Sequence, residues 1–486
     1  MFPQRDLGVL RLDCGEAVGH AELVRRLEAQ ESEVTALDVH CAPPRTVAST
    51  LWVLPQKTAI TRLSFKNAGL DLNQLASLCE ILPETCVTSL NLAMNDLGPC
   101  GVAKLCRTHA LVKLKTLDLS FNEFGSRGMR DLACSLVGGL SLTRLSVEGN
   151  SVSDWGFKWL SRALQHPKCE LETLMLGSCA MSASVLQDFA IALTLGRIKR
   201  FTIGTSAGDI NAFNVALTHP NCQLRSLSLF DSNAAPFGEE VEREEEDGEV
   251  EFVDPMVFAS FLRALSHGNC KLTALGLVGF PLGYRLVTKL CTTIAGLPCR
   301  RSLTKLNLAR AYVGTLGAKA VRQLVCDAGC RLRVLEMPHN YLGDRGVGHL
   351  IAALASERCG LETLDLCFNL VNHSTAMALE RQLRLPHSRL NCVKLLESND
   401  WGDQVDDNDG DENTTQGDYY QRFDYVYNTL DNMRVARACL ALRPSPRQTT
   451  CSGVTRLPRE LIRLVAGMLQ VVPKNEEEEG GEEDRT

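Results

Sequence analysis

The chain has 486 residues, of which 45% are apolar and 22% charged, and its formal net charge is −7. No strongly basic balance points to nucleic acid, and no apolar run reaches the roughly 18 residues that would cross a bilayer. The opening MFPQRDLGVLRLD has no charged-then-apolar leader, which predicts a cytoplasmic rather than a secreted protein.

Taken in order, one phrase recurs. Openings fall at Leu7, Val34, Ile60, Val87, Leu114, Leu142 and Leu171, then at Ile198, Leu224, Leu272, Leu303, Leu332, Leu361 and Leu390. The step is regular, since 34 − 7 is 27 and 171 − 142 is 29. The clearest copy, from Leu332, reads LRVLEMPHNYLGDRGVGHLIAAL; others begin LKTLDLSFN at Leu114 and LETLDLCFN at Leu361. Leucines at the first, fourth and sixth places lead to Asn122, Asn340 and Asn369 at the ninth, the signature of a leucine-rich repeat. A period of two predicts a short strand that buries alternate leucines such as Leu117 and Leu119. The asparagine is placed to satisfy backbone groups as the chain turns, and a helical period then carries it back. One such unit cannot bury its own apolar face, so the copies must stack. The expected fold is α/β, a horseshoe solenoid of about fourteen turns with a parallel inner sheet and outer helices.

Three departures interrupt the pattern. Ile198 opens IKRFTIGTSAGD, with Phe201 in a leucine place and no asparagine, and Leu272 opens LTALGLVGF, also without one. Local irregularity is expected there, without a domain break. The step from Leu224 to Leu272 is 48 residues, about 20 too many, and the excess is the acidic insertion 237–255, FGEEVEREEEDGEVEFVDP. It reads as a solvated insertion, or as an acidic finger toward a basic partner. The solenoid is expected over residues 1–400, followed by an acidic linker 401–417, a short helical segment 418–472 and a disordered acidic tail 473–486. The linker's DDNDGDEN does not fit a calcium loop. With Gly410 at the sixth place, Val405 takes the first ligand position and Gln416 the place of the bidentate glutamate.

The 20 cysteines do not form a disulfide pattern. Cys169, Cys222, Cys270, Cys330 and Cys359 each stand two places before a strand leucine, so they stack as small, partly buried hydrophobes in a reduced protein. Cys326 and Cys330 lack a second ligand pair for zinc, His219 and His267 belong to the repeat phrase, and no G-x-S-x-G occurs. No metal, cofactor or catalytic residue is expected.

The phrases HPNCQLRSLSL from His219, HGNCKLTALGL from His267, NDLGPCGVAKL from Asn95 and NYLGDRGVGHL from Asn340 carry a family resemblance. The chain resembles leucine-rich-repeat proteins of the ribonuclease-inhibitor-like class, a class also seen in the sensor domains of NOD-like receptors and in the Ran GTPase-activating protein. The resemblance implies a right-handed α/β horseshoe that binds proteins. A complete NOD-like receptor would also need a G-x-x-x-x-G-K-[ST] phosphate loop, and the sequence has none.

On a strand written L-x-x-L-x-L, places three, five and seven face away from the core, toward a partner on the concave side. They supply the candidate binding residues Arg62, Lys66, Asp118, Arg144, Glu148, Arg200 and Phe230. The reading is a non-enzymatic, monomeric scaffold for a protein partner, with neither nucleic acid nor membrane bound. Two alternatives use other features. LPRELIRLVAGML from Leu457 resembles the start of an F-box or the second half of a SOCS box, although Val435 stands where elongin binding wants leucine before Cys439. That would make the chain a substrate receptor of a ubiquitin ligase. The other alternative is a regulator of a small GTPase.

Overall fold

In the computed structural model the described residues are 9–12, 20–29, 34–41, 43–56, 59–177, 179, 181–232, 253–297, 303–383 and 388–395. The chain divides into two compact units, Met1–Gln404 and Val405–Thr486. The expected linker, C-terminal helices and tail lie outside the described residues, as does most of the acidic insertion.

Unit one is a single parallel sheet of fourteen strands whose spatial order is their chain order. The strands are β1 (Val9–Leu12), β2 (Ala36–Val39), β3 (Arg62–Ser64), β4 (Ser89–Asn91), β5 (Thr116–Asp118), β6 (Arg144–Ser146) and β7 (Thr173–Met175). After them come β8 (Arg200–Thr205), β9 (Ser226–Asp231), β10 (Ala274–Val278), β11 (Lys305–Asn307), β12 (Val334–Glu336), β13 (Thr363–Asp365) and β14 (Cys392–Lys394). Every strand begins two residues after a repeat opening, so the horseshoe solenoid expected from the leucine spacing is the fold.

Helices lie between successive strands. They are α1 (His20–Ala29), α2 (Pro44–Val53), α3 (Leu72–Ile81), α4 (Gly98–Arg107), α5 (Gly125–Val137) and α6 (Asp154–Gln165). The series continues with α7 (Ala183–Thr194), α8 (Asn214–Thr218), α9 (Pro255–Ser266), α10 (Gly283–Ala295), α11 (Gly314–Val325), α12 (Gly343–Leu354) and α13 (His373–Leu383). A helix is about 10 Å wide and a strand about 4.8 Å, so the sheet takes the inner, concave side of the curve.

The register stacks like on like. The fourth-place residues pair in an unbroken row running Leu63, Leu90, Leu117, Leu145, Leu174, Phe201, Leu227, Leu275, Leu306, Leu335 and Leu364. All of them are buried. Phe201, in its leucine place, enlarges the core locally, and other rings fill the space. Phe157, Phe189, Phe201 and Phe213 form a row with centroids 6.3, 5.7 and 6.1 Å apart.

The ninth-place asparagines join one turn to the next. The Asn122 Oδ1 accepts from the backbone N–H groups of Asn95 and Leu97 in the preceding turn, at 3.0 and 3.3 Å. Its Nδ2 donates to the carbonyls of Leu92, Leu119 and Ser120 at 2.9, 3.0 and 3.2 Å. Asn95, Asn150, Asn340 and Asn369 do the same work, and all five are buried. The residues before and after the ninth place take the left-handed region, around Ala68 and Ala311 as well as around the asparagines. Met94 and Asp96, Phe121 and Glu123, His339 and Tyr341, and Phe368 and Leu370 all have φ between 51° and 62°. Gly343, three places beyond Asn340, also has positive φ (57°) and starts α12.

At three of the turns that lack the asparagine the strand runs on, whereas β3, β7 and β11, followed by Ala68, Cys179 and Ala311 in the ninth place, stay at three residues. The ninth places after β8, β9 and β10 are Ser206, Ser232 and Phe280, and these strands have six, six and five residues against three in β3–β7 and β11–β14. The sequence pointed to irregularity at the turns opened by Ile198 and Leu272; the structure extends it to the turn between them. The sheet nevertheless stays continuous, with Ser226 through Phe230 paired to Ala274 through Val278 across the insertion. The end of the insertion belongs to the framework: Val253 is buried and donates to the Pro281 carbonyl (3.2 Å), Asp254 caps α9 through Met256 N–H (2.7 Å), and Pro255 is the first helical residue.

The phrase His-x-x-Cys, with Pro167, Pro220 or Gly268 after the histidine, is a helix-exit turn. The Nδ1 atoms of His166, His219 and His267 accept from the N–H two residues on, each at 3.3 Å, while the cysteine N–H returns to the histidine carbonyl at 3.0–3.2 Å. Cys169, Cys222, Cys270 and Cys359 are buried free thiols and Cys330 is half-buried. Burial raises the thiol pKa of Cys169, Cys222, Cys330 and Cys359.

Candidate protein-interaction face

The face away from the helices is built by places three, five and seven of each turn. Arg62 (β3), Arg144 (β6) and Arg200 (β8) stand in the same row, linked through the pairs Arg62–Ser89, Ser89–Thr116, Thr116–Arg144, Arg144–Thr173 and Thr173–Arg200. All three are exposed, as is Lys66 just beyond β3. Three strands separate Arg62 from Arg144, about 14 Å at ordinary strand spacing, so the row is a set of separate charges rather than a cluster. Asp118 on β5 and Glu148 just beyond β6 are half-buried. Phe230 is half-buried between Gly204 of β8 and Val278 of β10, well away from the other candidates. Some neighbours are more covered than an open sheet face would make them: Ser120, Val278 and Asp365 are buried.

The charges along this face are arranged in two different ways. At the C-terminal end opposite charges meet across strands. The Lys305 ammonium lies 2.6 Å from the Glu336 carboxylate, which also accepts from Asn307 Nδ2 at 2.8 Å, and Lys394 lies 3.1 Å from Asp365. At β5 and β6 like charges meet instead. Burial, and then the neighbouring Asp118 carboxylate, push the Glu148 carboxyl above its ordinary range. Asp118 accepts from the Ser120 N–H (3.0 Å), and the Ser120 and Ser146 hydroxyls share a 2.8 Å hydrogen bond. Between the two charged regions, Met175, Gly177, Thr202, Gly204, Ser228, Gly276 and Val278 carry no charge.

Sequence reasoning passed over a group of exposed apolar side chains at the end of the strands. Met94 and Phe121 occupy eighth places and are 44% and 54% exposed, and Met175, a fifth-place residue, is 39% exposed. Farther along, His339 stacks on Phe368 with centroids 4.1 Å apart, and Tyr312 packs against Tyr341 at 5.7 Å. For Met94, Phe121 and Tyr341 the usable signal was the place itself, next to a ninth-place asparagine. Among the described residues no three His, Cys, Asp or Glu side chains are grouped to hold a metal ion, and no helix is long and apolar enough to cross a membrane.

Comparison with known proteins agrees with this architecture. A family model described as Leucine Rich repeat matches residues 85–106 and 111–133. The chain is 26% identical over 338 residues to NACHT, LRR and PYD domains-containing protein 3 of Macaca mulatta, covering 68% of this chain and 30% of that protein. It is 27% identical over 311 residues to the ribonuclease inhibitor of Sus scrofa, covering 62% of this chain and 57% of the inhibitor. A shorter match of 166 residues, at 32% identity, reaches the human NACHT, LRR and PYD domains-containing protein 12, over 16% of its length. The chain thus spans less than two thirds of each of these relatives. With the repeat phrase, the asparagine ladder and the parallel sheet already in place, these matches identify the chain as a leucine-rich-repeat protein of the ribonuclease-inhibitor-like class.

Proposed function

We propose that this chain is a non-enzymatic, monomeric, cytoplasmic scaffold that takes a protein partner on the concave sheet face, through Arg62, Lys66, Asp118, Arg144, Glu148, Arg200 and Phe230. One observation carries the reading: fourteen strands in register present their outward side chains from a backbone fixed before any partner arrives. A surface of that kind loses little conformational entropy on binding, so more of the contact energy appears as affinity. The pig relative is named for inhibiting a ribonuclease, an effect exerted on another protein.

The test is quantitative capture from cell extract with face variants of the full chain. Reversing the exposed row, Arg62→Glu with Arg144→Glu and Arg200→Glu, should cut recovery of a specific partner at least tenfold, by roughly 1.4 kcal/mol or more. Lys319→Glu on the exposed side of α11 should change nothing. A partner set indifferent to the reversed row and lost from a chain ending at Asp400 would assign binding to the C-terminal unit instead. A cullin or elongin subunit in that set would favour the ubiquitin-ligase alternative, and a small GTPase retained by the truncated chain would call for a hydrolysis assay.

A further inference from the structure

The concave face has one stretch where like charges are left together beside exposed apolar groups. Phe121 follows β5 with φ of 54°, and the residue is 54% exposed. The ring packs against Gly149, where a β-carbon would come within 2.4 Å of it. The stem of Glu148 crosses Gly177 in the same manner, with a β-carbon there only 2.9 Å away. Two absent side chains therefore set the aromatic ring and the carboxylate in place. Met94 and Met175 border them, exposed and conformationally adaptable.

The electrostatics specify the occupant. No ion pair among the described residues engages Asp118 or Glu148, in contrast to the bridged carboxylates Glu336 and Asp365. Two neighbouring carboxylates with no cation are a cost that an incoming cation would remove. A flat aromatic surface beside them favours a planar cation, because a guanidinium can lie on a ring and still meet carboxylates at its edge.

We propose that the sheet face over β5 and β6 docks an arginine-bearing basic segment of the protein partner. The guanidinium lies on the Phe121 ring and pairs with Asp118 and Glu148, while Met94 and Met175 cover its apolar flanks. This rests on the concave-face reading above and adds to it the place and the chemistry. Arg62, Lys66 and Arg200 stand outside this subsite and face other parts of the partner, and Arg144, at the start of β6, borders it without an ion pair to Asp118 or Glu148.

The experiment uses the full chain and a fluorescein-labelled peptide of alternating arginine and serine, followed by fluorescence anisotropy at low salt. The peptide should bind, and Phe121→Ala and Glu148→Gln should each weaken it about tenfold. Phe121→Trp should retain binding, Phe230→Ala should leave it unchanged, and a glutamate–serine peptide should not bind. Equal affinity for a lysine–serine peptide would overturn the planar-cation assignment. Binding lost in Phe230→Ala but kept in Phe121→Ala and Glu148→Gln would overturn the subsite while leaving the concave-face reading standing. Binding that ignores every face variant and disappears when Glu242, Glu244, Glu245 and Glu246 become glutamine would overturn the subsite, as would no binding at all, while the capture test above decides the concave-face reading.

Discussion

Two residues show how much one side chain decides in this molecule. Asn122 satisfies five backbone groups in two successive turns, all out of reach of water. Leaving even two of them unpaired costs about 1–3 kcal/mol each, so Asn122→Ala should lower unfolding stability by about 3 kcal/mol in urea titration. Asn122→Cys should lose less, because Cys179 in the same place donates its Sγ–H to the Leu176 carbonyl at 3.0 Å. The asparagine's role was legible in the sequence, because its place is invariant relative to the leucines. Glu148 was legible only as an outward residue. Its pKa depends on burial and on Asp118 one strand away, which spacing along one chain segment does not show. Since its folded-state pKa lies above the ordinary value, the ionised form is the one the fold disfavours. That penalty is complete at neutral pH and disappears as pH falls through the raised pKa toward the unfolded one. Glu148→Gln should therefore raise the melting temperature near neutral pH, with the gain closing toward about pH 4 in calorimetric scans.

At the scale of elements, strand length varies with the ninth-place residue. From β3 to β13 a strand stops after three residues where asparagine, alanine or cysteine holds the ninth place, and continues to five or six where serine or phenylalanine stands. The leucine period located all fourteen strands. It could not give the lengths of β8–β10, because these three strands share the leucine spacing of their shorter neighbours. Charge composition likewise located the insertion but ran past its end, since Val253, Asp254 and Pro255 look like loop residues by type. The core contact of Val253 and the cap from Asp254 make a sharp test. Deleting Gly238 to Val250 should leave thermal unfolding within about 1 kcal/mol of the parent, whereas extending the deletion through Asp254 should destabilise α9 by about 2 kcal/mol or more. Equal stability of the two deletions would show that the framework does not begin at Val253.

For the whole molecule, stability is a sum over neighbours, because each turn buries its leucines only against the turns beside it. Leu335 is fully buried and paired with Leu306 and Leu364, so Leu335→Asp places an unpaired charge in the middle of three turns. Amide hydrogen exchange should show protection lost across β11–β13 and kept in β3–β6; uniform loss would mean that the solenoid unfolds as one block. The stack and its register were legible from repetition alone. The pattern of charge along the face was not, because it arises from strands 26 to 31 residues apart in sequence, and 48 across the insertion, meeting side by side. The asparagine ladder has a further consequence. Each asparagine grips the chain of the turn before it at the ninth and eleventh places, as Asn122 grips Asn95 and Leu97. After β9 the next turn offers Phe280 in that place, and the chain leaving the sheet there is not gripped in this way. That is where the extra residues enter, without disturbing the pairing of β9 with β10. In engineering terms the solenoid has a splice port: foreign sequence grafted after Asp231 has no asparagine of the next turn to displace, whereas the same graft after Ser120 would have to break a clamp.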